Sequence, residues 1–128
     1  MQAIFRFVPD HRLRTIGDFI ADLRQRGLYD KAMIILLSDH GEGLNDHGEE
    51  EHGVFLYREA IQVPLMVKMP KGAKGGETVE APVQLVDVFP TILEQTATPV
   101  PKLQNNARSL LAFLEGDAPS RPIYSETY

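Results

Sequence analysis

Hydrophobic positions along this chain fall either into spaced sets or into short unbroken runs, and the two patterns predict different elements. From Thr15 to Arg26 the set is spaced. Ile16, Phe19, Ile20 and Leu23 recur every three or four residues, which places them on one face of a helix. Asp18, Asp22, Arg24 and Arg26 lie elsewhere on it, in solvent, and Gly27 is the expected C-cap. Met33 to Leu37 is unbroken, as in a strand buried on both faces. A helix followed by such a strand is half of a βαβ unit, and ligands in such sheets gather at the carboxyl ends of strands. Asp39 and His40 fall at that end. Val63 to Met69 predicts a second strand, closed by Pro70 and followed by a Gly/Lys turn, KGAKGGE. A short strand is expected over Thr78 to Val83. A helix is expected over Leu85 to Gln95, with Asp87 near its start and Pro90 in its first turn. Thr98 to Asn106 is a loop by composition. Ala107 to Leu114 predicts a short amphipathic helix ended by Gly116, and Ile123 to Tyr128 a last strand. Ala3 to Val8 is a short apolar piece interrupted by Pro9. The chain shows no internal repeat and no low-complexity segment.

Composition narrows the function classes. The 128 residues are enough for one domain, with hydrophobic and charged fractions of 43% and 24%. The longest apolar run is far below the ~20 residues of a membrane span, so no membrane partner is expected. The opening MQAIFRFVPDHRLRT has no signal-peptide h-region. A formal net charge of -5 argues against nucleic acid, which requires a basic face. The chain has no cysteine, which removes disulfides, thiolate zinc sites and a cysteine nucleophile. A metal bound here must sit on oxygen and imidazole.

The chemistry concentrates in Leu36 to Gly53, LLSDHGEGLNDHGEEEHG. Three of the four histidines, His40, His47 and His52, fall within thirteen positions of it. Asp39 and His40 are adjacent, and in a strand their side chains would point to opposite faces. At a strand end turning into Gly41 that constraint relaxes, and both can reach one ion. Carboxylate oxygen with imidazole nitrogen suits zinc or manganese better than calcium. The plainer alternative, that Asp39 caps a turn and His40 lines it, has about equal weight. His47 repeats the Asp-His-Gly pattern but sits in a glycine-punctuated polar loop, where a solvated histidine needs no partner. Glu49 to Glu51 reads as a solvated acidic run. Asp87 fits a helix cap better than a ligand. No G-x-S-x-G is present.

The text GLYDKAMIILLSDHGEGLNDHGEEEHGVFLYREAIQVPLMVKMP, then VQLVDVFPTILE, then the closing YSETY resembles the sulfatase family of the alkaline-phosphatase-like superfamily. The Ser-Asp-His-Gly-Glu start, the following Gly and His, and the Val-Pro-Leu strand stand in that order at family-like spacing. The resemblance begins near Ile16 and runs to the end. It implies an α/β fold: part of an alkaline-phosphatase-like sheet flanked by helices, incomplete without the N-terminal portion. Residues 1–14 are then an unmatched segment, and residues 15–128 the C-terminal portion of a catalytic domain.

The resemblance also implies roles. Asp39 matches a carboxylate ligand of the catalytic divalent metal, calcium by family resemblance with manganese and zinc as alternatives. His40 matches the next position, Asn or His in the family, which also faces the metal. His52, twelve residues on, matches a catalytic Lys or His that contacts the sulfate or phosphate oxygens and the leaving-group oxygen. His47 matches a frequent loop histidine that is not a usual ligand. Sulfate-ester cleavage builds negative charge on nonbridging and leaving oxygens, and a metal with fixed cations stabilises it there. A protonated His52 also suits general-acid help to the leaving alkoxide. The implied partner is a small sulfate or phosphate ester. The family nucleophile, a formylglycine made within a Cys/Ser-x-Pro-x-Arg motif, has no counterpart here, nor do the N-terminal aspartates. Alternatives are a phosphodiesterase or phosphonate monoester hydrolase of the superfamily, or a non-catalytic domain keeping part of the fold. A half site should bind metal weakly and catalyse nothing, and an exposed sheet edge and apolar face should favour self-association.

Overall fold

The computed structural model describes residues 10–48, 55–103, 105–116 and 121–127, with the side chains of residues 10–13 left out of account. The short apolar piece Ala3 to Val8 lies outside these residues. The order is α1 (Asp10–Gln25), β1 (Ile34–Leu37), a helical turn α2 (Arg58–Ile61), β2 (Leu65–Lys68), α3 (Val88–Gln95) and α4 (Leu110–Leu114), with 3-10 turns at Pro70–Gly72 and Leu85–Asp87. The fold is α/β, with β1 and β2 forming a two-stranded antiparallel sheet. The half-βαβ reading of β1 thus meets an antiparallel neighbour. Both strands are mostly half-buried rather than covered on both faces, with Leu37 and Met66 exposed. Neither Thr78–Val83 nor residues 123–127 form a strand. Pro82 in the first of these has no N–H to give a ladder. No helix among the described residues is long and apolar enough to cross a membrane.

The chain divides into two compact units, Met1–Ile35 with Val67–Gly75, and Leu36–Met66 with Gly76–Tyr128. In the first unit α1 extends N-terminally beyond the spaced apolar set. It stops where expected: Gly27 takes φ +66°, Gly27 N donates to Arg24 O at 3.0 Å and Leu28 N to Leu23 O at 2.9 Å. Its apolar face is only partly covered, with Ile20 and Leu23 half-buried and Phe19 exposed. The Tyr29 ring lies under two cations, Arg24 at 4.6 Å and Lys68 Nζ at 4.3 Å. Lys68 Nζ also donates to the carbonyls of Tyr29 and Ala32, so its charge ties β2 to the segment entering β1.

The second unit is centred on a buried polar hub. Asp87 and Thr91 are fully buried, Arg121 nearly so, beside the apolar Leu110 and Phe113. Asp87 Oδ2 accepts from Gln84 N at 2.8 Å and from Arg121 Nη2, and Oδ1 accepts from Arg108 N at 2.9 Å. Thr91 Oγ1 donates to Asp87 O at 2.6 Å and accepts from Leu110 N at 2.8 Å. Arg121 Nη1 reaches Asn106 O, and its guanidinium lies 5.4 Å from the Phe113 ring centre. Asp87 stands at the N-cap of α3, as its position implied, but its side chain closes the preceding 3-10 turn on Gln84 N and gathers two distant segments, those of Arg108 and Arg121. Buried charges persist when paired and hydrogen-bonded. Around this hub a good deal of apolar surface stays open, including Phe55, Phe89, Ile92 and Tyr124.

Candidate metal and substrate site

The apolar run of β1 ends at Leu37, and the chain leaves the strand through Ser38. Ser38 Oγ donates to His40 O at 2.6 Å, closing a tight turn. Asp39 Oδ1 accepts from His40 N at 3.0 Å, a local bond of the kind short acidic side chains make in turns. Gly41 follows, and only glycine fits: a Cβ there would lie inside the surface of the Glu59 carbonyl oxygen. The close approach lets Gly41 N donate to Ala60 O at 2.7 Å, fastening the turn to α2.

This turn brings the two predicted ligands together. His40 Nε2 lies 3.9 Å from Asp39 Oδ2, while the other ring nitrogen, Nδ1, is 2.8 Å from Gly41 O. A backbone carbonyl accepts and cannot donate, so it fixes the proton on Nδ1 and leaves the lone pair on Nε2, as metal-binding histidines are commonly oriented. The Asp39 side chain is 87% exposed and that of His40 47%. An oxygen and an imidazole lone pair on one accessible side are the donor chemistry of a divalent cation. Among the described residues, no group of three or more His, Cys, Asp or Glu side chains is placed to hold a metal. His52 lies outside the described residues.

His47 is not the unpartnered loop residue that its surroundings implied. Its ring stacks on Tyr57 at 4.1 Å between centres, and Nε2 is 3.4 Å from Glu59 Oε1. The Glu59 carboxyl is held below its ordinary range, first by a backbone hydrogen bond at its own residue, with His47 and Arg58 adding to this against an opposing desolvation. Glu59 was not legible as a site residue: it stands twelve positions from His47, and nothing local in Tyr57 to Gln62 marks it as a partner for that ring.

Comparison with known proteins gives the family. The sulfatase family model matches residues 14–98. Bovine (Bos taurus) arylsulfatase K is 36% identical over 87 residues, 68% of this chain and 16% of that protein. Among solved structures, the phosphonate monoester hydrolase SpPMH from Silicibacter pomeroyi superposes with a TM-score of 0.72 at 39% identity, covering 82% of this chain and 20% of that one. BT4656, solved in complex with its substrate D-glucosamine-2-N,6-O-disulfate, gives a TM-score of 0.72 at 30% identity, covering 88% and 22%. The chain thus spans about a fifth of the length of the relatives it matches. With its model matched over most of the chain and with relatives of these kinds, the chain belongs to the sulfatase family.

Proposed function

We propose that this chain is the C-terminal, metal-ligand portion of a sulfatase-like hydrolase that cleaves sulfate esters, with residues 1–14 lying outside the catalytic domain. The observation that carries this reading is the facing pair Asp39 Oδ2 and His40 Nε2, with His40 oriented by Gly41 O. A divalent cation held there, calcium by family resemblance, supplies positive charge against the ester oxygens as they become more negative. Asp39 contributes the anionic oxygen and His40 the neutral nitrogen. His52 contacts the ester oxygens and gives a proton to the departing alkoxide. The sequence has no Cys/Ser-x-Pro-x-Arg motif to yield formylglycine, so the nucleophile belongs to another part of the protein. Alone, the chain holds half a site and turns nothing over.

Manganese titration followed by paramagnetic resonance tests the ligand pair. Weak saturable binding is expected, at least tenfold weaker in Asp39→Asn and in His40→Ala and unchanged in Asp46→Asn; variants that bind as the parent does would overturn the assignment. Aryl sulfate turnover by this chain that Asp39→Ala abolishes would overturn the claim that its nucleophile lies elsewhere. The 39% identity to a phosphonate monoester hydrolase supports a second reading, in which the ester is a phosphonate or phosphate. Activity of the whole enzyme on paired aryl sulfate and aryl phosphonate substrates decides between them. Exposed Phe55, Phe89 and Tyr124 support self-association of the isolated chain, and a concentration-independent monomer in sedimentation would count against it.

A further inference from the structure

The loop that begins at Gly41 is a run of turns, with Asp46 N donating to Gly43 O at 2.9 Å and Gly48 N to Asn45 O at 3.3 Å. Leu44 and Asn45 take φ of 48° and 65°, Gly48 takes 78°, and residues 44–48 are all exposed. Left-handed backbone at a leucine costs energy. Yet both ends of residues 41–47 are tied to the same four-residue turn and the tyrosine before it. At one end Gly41 N donates to Ala60 O at 2.7 Å, beneath the Glu59 carbonyl that excludes any Cβ. At the other, His47 stacks on Tyr57 and points Nε2 at Glu59 Oε1. Glu59 Oε2 is buried without a hydrogen-bond partner among the described residues. A carboxylate in that position gains more from a donor on its other oxygen than a solvated one would.

We propose that Glu59 is a positioning residue for the Asp39–His40 pair: by clasping His47 it holds the loop against α2, and so holds the Gly41 carbonyl that orients His40. The clasp acts through another residue and touches no reacting atom. The metal part of this claim rests on the ligand reading above, while the geometric part does not. A strained, exposed loop without its far anchor samples other conformations, and the Gly41 carbonyl moves with them. His40 Nδ1 then loses its acceptor. Supporting groups of this kind weaken metal affinity by roughly tenfold or more when removed.

The experiment uses this chain with manganese alone as the probe, and three variants: Glu59→Ala, His47→Ala and the double. Heteronuclear NMR without metal reads the Gly41 amide exchange rate and the His40 ring signals. In Glu59→Ala the expected results are faster Gly41 exchange, altered His40 ring signals and roughly tenfold weaker manganese binding, with the melting transition still cooperative. The double variant should bind no worse than the poorer single one, because the two side chains act as one clasp. Glu59→Gln, which keeps an acceptor for His47, should restore most of the loss. If Glu59→Gln behaves like Glu59→Ala, charge rather than the clasp matters and the proposal is overturned. It is overturned equally if His40 signals and Gly41 exchange in Glu59→Ala match the parent. Loss of the ligand reading looks different: the parent itself binds no manganese, or Asp39→Asn changes nothing, while the metal-free NMR arm still decides the clasp.

Discussion

Asp87 and Asp39 lie in the same compact unit and carry the same charge in opposite surroundings. Asp87 is fully buried, and both of its carboxylate oxygens are engaged by backbone amides and by Arg121. Asp39 is 87% exposed and meets an adjacent amide and an adjacent imidazole. The first arrangement is what a charge needs to survive desolvation, and it joins segments far apart in sequence. The second leaves a carboxylate edge that solvent or a ligand can reach. Burial with full pairing marks the architectural aspartate, and exposure beside an oriented histidine is what the ligand role proposed for Asp39 requires.

The largest expected difference is in stability. Asp87→Ala leaves Arg121 buried and unpaired, which should cost about 3–5 kcal/mol, enough to unfold a marginal domain. Urea denaturation followed by circular dichroism measures this. Replacing both partners by apolar residues, Asp87→Leu with Arg121→Met, should recover much of the loss, because no lone charge then remains inside. A cost for Asp87→Ala no larger than for Asp39→Ala would break the comparison.

A smaller effect probes the same hub through a neutral group. Thr91 Oγ1 donates to Asp87 O and accepts from Leu110 N at 2.8 Å, joining α3 to the start of α4. Thr91→Val keeps the shape and removes the hydroxyl. The buried Leu110 amide then lacks an acceptor, which should cost about 1–3 kcal/mol in the same denaturation experiment.

The loop that carries Asp39 should respond to acid instead. The Glu59 carboxyl is held below its ordinary value of 4.5, so it favours the folded state fully above that value. The contribution fades as pH falls through the lower folded value. Facing it are His47 from the loop and Arg58 on its own turn. NMR titration of the Glu59 carboxyl should give a midpoint below 4.5. A midpoint at or above the ordinary value would remove the clasp's electrostatic part.

Legibility followed the range of the interactions. α1 and its glycine stop, β1, β2 and α3 were readable because periodicity, unbroken apolar runs and caps are local signals. Asp39 and His40 were readable as neighbours because adjacency at a strand end limits where two side chains can go, while their roles are only what the family resemblance implies. The sheet pairing was not readable: an unbroken apolar strand predicts burial but not the direction of its neighbour. Arg121 was missed because its partner lies thirty-four positions away and nothing local marks an arginine destined for the interior. Glu59 and His47 were missed as a pair for the same reason. The expected strand at Thr78–Val83 failed where β-propensity had no neighbour to pair with and a proline within it.

The smallest expected stability effect is the most informative about function. Asp39→Asn keeps the Oδ1 acceptor for His40 N and alters a side chain that is mostly in water. Its effect on urea stability should stay within about 0.5 kcal/mol. Manganese binding should nevertheless fall steeply, because a neutral amide oxygen is a poorer donor to a divalent cation than a carboxylate. A residue that contributes nothing measurable to folding and most of the cation affinity is placed for chemistry. Should Asp39→Asn instead destabilise the chain by as much as Thr91→Val, Asp39 would be a turn-capping residue after all, and the contrast with Asp87 would be one of degree.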